Sequence, residues 1–203
     1  MTFSTNHPVL FILAGILIAV FFAVVLVRTL SFKPKAQPAV SDEEVSFHQD
    51  GAVSALAELV KCKTVSYYDH SKEDDTEFRK LISKLPALYP NVFAACDFRQ
   101  LADRGLLFKW PGKEAGDVAV LMAHYDVVPV NEDQWKKPAF DAIIEDGVMW
   151  GRGTLDTKVT FNGVLFAANH LIARGFQPEH DVYFAFSGGD EVNGKGAPNI
   201  VKH

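Results

Sequence analysis

Five side chains in three short segments have the chemistry to hold a metal ion and move a proton. They are His124 and Asp126 in VLMAHYDVVPV (120–130), Asp156 in WGRGTLDTK (150–158), and Asp190 and Glu191 in FAFSGGDEVNGKGA (184–197). Imidazole nitrogen and carboxylate oxygen suit zinc, with cobalt or manganese as alternatives. His124 and Asp126 are two residues apart, so on an extended strand they share a face. A carboxylate there can fix the tautomer of the imidazole and aim its other nitrogen at a metal. Asp156 follows a Gly-Arg-Gly turn and stands just before a helical pattern, a place that suits an N-cap equally well. Asp190 and Glu191 follow a strongly apolar strand in a Gly-rich turn, where adjacent carboxylates are ordinarily solvated. Each segment alone has such a bland explanation. Together, His124, Asp156 and Glu191 offer N and O ligands from three separate strand ends. A carboxylate can bridge two ions, and the neighbouring acid, Asp190, can take a proton from water.

The elements that must position these groups follow from hydrophobic periodicity. Helical spacing runs over 47–61, 73–88 and 157–174, the last stopped by Gly175. Leu106 to Trp110, Val118 to Ala123, Val148 to Trp150 and Val182 to Phe186 read as strands, with Pro111, Gly112 and Gly116 marking the turn between the first two. A last helix begins near Ala197 or Pro198. Alternating strands and helices predict an α/β fold with a mostly parallel sheet and flanking helices, whose functional groups gather at the carboxyl ends of strands.

Ahead of this domain, Val9 to Val27 is an uncharged apolar run long enough to span a bilayer. No Lys or Arg precedes it, no small-x-small cleavage site directly follows, and Arg28, Lys33 and Lys35 come next. These features favour a retained single-pass anchor over a cleaved signal. The organisation expected is a tail (1–8), an anchor (9–27), a linker (28–45) and a catalytic segment (46–203). The side of the membrane stays open. The formal charge of −5 on 203 residues is scattered and leaves no basic footprint for nucleic acid. Cys62 and Cys96 are too few for a disulfide framework. Nothing in the composition bears on whether the chain forms homo-oligomers. His7, His48, His70, His170 and His180 match no motif.

From Phe47 onward the chain resembles the M20 metallopeptidases, especially the carboxypeptidase S-like and N-acyl-amino-acid hydrolase branch. KTVS (63–66), LLFKWPG (106–112), MAHYDVVPV (122–130) and WGRGTLDTK (150–158) carry the resemblance, in order and at the right spacing. The resemblance implies a two-metal catalytic domain acting on peptides or N-acyl amino acids. It also implies roles: His124 a terminal ligand, Asp126 its supporting acid, Asp156 the bridge between the ions, Asp190 the general base and Glu191 a ligand. The chain departs from the branch at the base. Branch members read like AFGHDEEV, and here Ala185 to Val192 reads AFSGGDEV, with Asp190 where the family has glutamate. Losing a well-placed base costs about 10²–10⁴ in rate. The family's later acidic ligand and late histidine would fall beyond His203. The expectation is therefore the front part of a catalytic domain without lid or C-terminal part, inactive or impaired by itself. The alternative is a non-catalytic, membrane-tethered remnant.

Overall fold

The computed structural model describes residues 7–33, 46–192 and 194–203, and the chain divides after Val45 into two compact units. Among the described residues the first holds one helix, α1 (His7–Ser31). Its 24-residue segment Pro8–Ser31 holds an 18-residue stretch of mean hydropathy 3.3. At ~1.5 Å per residue the segment exceeds the ~30 Å hydrocarbon core of a bilayer. The helix is longer at both ends than the expected 9–27. It takes in 28–31 of the expected linker, whose residues 34–45 lie outside the described ones, as do 1–6 of the expected tail.

The second unit runs α2 (Gln49–Val60), α3 (Asp75–Leu88), α4 (Pro90–Ala95), β1 (Asp97–Leu101), β2 (Gly105–Trp110), β3 (Ala119–His124), β4 (Ile143–Glu145), β5 (Val148–Trp150), α5 (Lys158–Ala173), β6 (Val182–Ser187) and α6 (Gly196–Ile200). Four strands form one sheet in the order β1-β2-β6-β3, and β4–β5 is a separate hairpin. Leu106, Phe108, Trp110, Phe184 and Phe186 alternate onto one face of the sheet and are buried under α2–α5. There they meet Leu59, Phe78, Leu81, Leu85, Phe161 and Leu165.

The sheet is mixed, which corrects the expectation of a mostly parallel one. Only β3–β6 is parallel, whereas β1–β2 and β2–β6 are antiparallel. The strand β1 (DFRQL) lacks an apolar alternation that would announce it. It turns into β2 through Asp103 and Arg104, both left-handed at φ 52° and 63°. Two central residues with positive φ make the hairpin turn that matches strand twist, and so short a loop joins only antiparallel neighbours. Neither positive-φ position is a glycine, so the sequence hides the turn. The polar chain between β2 and β3 leads past β6, so these two strands are not neighbours.

Lys158, at the start of α5, is fully buried. Its ammonium donates to the carbonyls of Leu59 (3.0 Å) and Cys62 (2.7 Å), at the C-terminal end of α2. It thereby staples the loop carrying Asp156 to the end of α2. Lys158→Ala removes both bonds and opens a cavity, although the Cys62 and Thr64 N–H groups still pair with those carbonyls (3.1 and 2.9 Å), and is expected to cost about 2–5 kcal/mol in urea unfolding. Burial lowers the Lys158 pKa to about 8. A depressed folded-state value means that stability is gained as pH rises from about 8 toward the unfolded value of ~10.4. The gap between parent and variant should widen over that window.

Candidate metal centre

The parallel pairing of β3 with β6 builds the site. In the register of β3 and β6, His124 lies beside Ser187, and the Tyr125 N–H continues the ladder to the Ser187 carbonyl at 2.9 Å. Both strands therefore end at the same edge, and the chains leaving them carry Asp126 on one side and Asp190 and Glu191 on the other. Opposite β6, Val65 bridges Val127, with Ser66 N–H to Val127 carbonyl and Val127 N–H to Thr64 carbonyl (3.0 and 2.9 Å). The KTVS segment thus pairs with the stretch that follows His124 and holds it in an extended path.

His124, Asp156 and Glu191 each present one ligand atom, and the three atoms lie within 4.8 Å of one another. The His124 Nε2 is 3.2 Å from Asp156 Oδ1. Its Nδ1 faces Asp126, 3.1 Å from the main-chain oxygen and 3.4 Å from Oδ1. One ring nitrogen is thus held from below and the other is aimed at the cluster.

Asp126 is fully buried and serves two loops at once. Besides supporting His124, its carboxylate accepts the N–H of Asp190 (3.1 Å) and of Glu191 (3.2 Å), which open a short 3-10 turn over Asp190–Val192. Burial works against its charge, but the His124 ring, the Ser66 side chain and the two main-chain donors outweigh burial and hold its pKa below the ordinary value. For His124 burial favours the neutral ring. The Asp126 hydrogen bond and charge, with Asp190 adding, override this and raise it to about 9. The Glu191 carboxyl is pushed up by burial and by Asp156 and Asp126, against the pull of His124 and Arg152. A cluster of acids around one imidazole is the setting in which a cation relieves repulsion, and the donor set fits zinc-type ions.

The N-cap alternative for Asp156 does not hold. The N-cap of α5 is Thr157, with no side-chain cap bond, and the Asp156 side chain is 76% exposed with its oxygen on His124. Asp190 is not among the three converging ligands. It lines, with His124, an apolar groove of about 600 Å³ whose other walls include Val120, Met122, Ala185 and Ile200.

Three residues that sequence reasoning passed over complete the scaffold. Thr64 Oγ1 donates to the Tyr125 carbonyl at 2.6 Å, Lys158 staples the Asp156 loop, and Tyr125, between His124 and Asp126, is itself fully buried. The signal for all three was their place inside the KTVS, HYD and DTK motifs.

Residues 120–203 match the model of Peptidase family M20/M25/M40. The chain is 32% identical over 202 residues to "Probable carboxypeptidase S-like 2" of Dictyostelium discoideum, covering 95% of this chain and 39% of the relative. The chain belongs to the M20 peptidase family. It is likewise 31% identical to "N-fatty-acyl-amino acid synthase/hydrolase PM20D1.1" of Danio rerio, over 95% of this chain and 40% of that protein. The M20 chain thus spans about two fifths of the length of these curated relatives. Among solved structures, human carnosine dipeptidase 1 superposes with a TM-score of 0.64 at 17% identity, over 76% of this chain and 35% of that one. The M20 metallo-carboxypeptidase Sso-CP2 from Sulfolobus solfataricus gives 0.55 at 22% identity, over 68% and 30%. These two likenesses concern the fold.

Proposed function

We propose that this chain is the metal-binding front part of an M20 hydrolase that cleaves an amide bond near a free carboxylate, in a peptide or an N-acyl amino acid. The observation that carries the reading is the convergence of His124, Asp156 and Glu191 within 4.8 Å from three distant segments. These residues would hold a divalent cation, zinc by preference, with cobalt or manganese as substitutes. The exposed Asp156 carboxylate is free to share a second ion. Ions bound there would supply Lewis acidity, acidifying the attacking water and polarising the scissile carbonyl.

The chain's own residues do the rest. Asp126 fixes the His124 ring and the Asp190–Glu191 turn in one frame, so ligand and base keep their spacing. Asp190, at the rim of the groove, accepts the proton of the attacking water. Once the C–O bond has formed, it returns that proton to the leaving amine as the C–N bond breaks. The apolar groove beside it accepts the apolar part of such a substrate. The apolar helix α1 would tether the unit to a membrane as a single-pass anchor.

Purified full chain in detergent, loaded with zinc or cobalt, should hydrolyse N-acyl amino acids or C-terminal peptide bonds, and chelation should stop it. Asp190→Asn should slow this by about 10²–10⁴. The shortened base favours a second reading, a membrane-tethered remnant that binds metal without turnover. A folded, metal-loaded chain inert toward both substrate classes would establish that second reading.

A further inference from the structure

Tyr125 stands between His124 and Asp126 in sequence, and its side chain points to the opposite side of the strand end, into the core. There its ring packs edge-on to Phe78 (6.1 Å between centroids) and tilted against Phe161 (5.8 Å). Its hydroxyl donates to the Arg104 carbonyl at 2.9 Å. That acceptor sits in the β1–β2 turn, which is itself held down. The Arg104 guanidinium pairs with Glu73 (2.8 Å) and Asp75 (2.6 Å) and lies 3.6 Å over the Phe78 ring.

The same tyrosine also touches the other metal-facing loop. A Cβ at Gly188 would lie 2.6 Å from the Tyr125 ring carbon and hydroxyl and 2.8 Å from Arg104 Cβ. The chain leading to Asp190 and Glu191 therefore runs directly against the ring, and the glycine is what allows it. Tyr125 also joins that loop through its own N–H to Ser187.

We propose that Tyr125 is a positioning residue for the metal centre: anchored on Arg104 and pressed against Gly188, it sets the spacing between the loop bearing His124 and Asp126 and the loop bearing Asp190 and Glu191. As a statement about metal, this rests on the reading given under Proposed function. As a statement about the two loops, it does not. The phenol acts through its neighbours and touches neither ion nor substrate.

Tyr125→Phe removes only the hydroxyl, and Arg104→Ala frees the turn while leaving the phenol in place. Both are made in the full chain in detergent, and hydrogen exchange is followed at the Asp190 and Glu191 amides, which donate to Asp126. Exchange at Phe108 and Leu165 serves as the reference for the core. Cobalt affinity is read from the visible spectrum. The expected result is about tenfold faster exchange at 190 and 191 with the core reference unchanged, and cobalt bound about tenfold more weakly, the size typical of an outer-shell change. Unchanged exchange at 190 and 191 in both variants overturns the proposal, as does acceleration shared equally by the core, which would mark a merely structural tyrosine. If the exchange effect appears but the parent binds no cobalt, the spacing role stands and the metal reading fails.

Discussion

Asp156→Ala should reduce the affinity of the chain for zinc or cobalt by more than about 100-fold while leaving its fold intact. The loss should exceed the 10–100-fold typical of removing a group that merely supports a ligand, because Asp156 would itself be a ligand and the bridge to a second ion. The fold should survive because the side chain is largely exposed and, among the described residues, its one hydrogen-bond partner is His124. It caps nothing: Thr157 occupies the N-cap of α5. Calorimetric or cobalt-absorbance titration gives the affinity, and circular dichroism with urea unfolding checks the fold. Parent-like affinity in the variant would remove Asp156 from the centre.

Asp126→Ala should do the reverse, damaging stability and metal binding together. This carboxylate is sealed from solvent, and deleting it leaves the His124 ring and the N–H groups of Asp190 and Glu191 without their shared partner. Breaking a buried charged pair by removing one member costs about 3–5 kcal/mol. Metal affinity should fall about 10–100-fold as the imidazole loses its orientation. Asp126→Asn keeps an acceptor oxygen and should fall between parent and alanine variant in both. Urea unfolding without metal and cobalt titration separate the two effects. A variant that loses affinity but no stability would mean that the buried bonds to 190 and 191 contribute nothing to folding.

The contrast between these two aspartates shows what could be read in advance. Residue type and spacing were enough to single out His124, Asp156 and Glu191, because few side chains offer metal ligands and these follow strand ends. The choice between ligand and N-cap for Asp156 was not open to sequence, since both roles ask for the same residue at the same place. Helix α5 and strands β2 and β6 were legible from apolar periodicity. Strand β1 was not, being polar and entered from a six-residue helix. The turn after it uses Asp103 and Arg104 at positive φ where glycine or asparagine would have signalled it. The mixed sheet was hidden for a related reason. Whether β2 pairs with β3 or β6 depends on contacts between segments some 75 residues apart, which local pattern cannot register. Tyr125 and Lys158 escaped notice likewise, because a buried hydroxyl and a buried ammonium acquire their meaning from the distant carbonyls they meet.

Crystals of the full chain grown with zinc, with diffraction recorded on both sides of the zinc absorption edge, bear most directly on the metal centre. The expected result is an anomalous peak about 2.0–2.2 Å from a His124 ring nitrogen and from carboxylate oxygens of Asp156 and Glu191. Zinc bound elsewhere, or an ordered cluster holding none at saturating concentration, would contradict it.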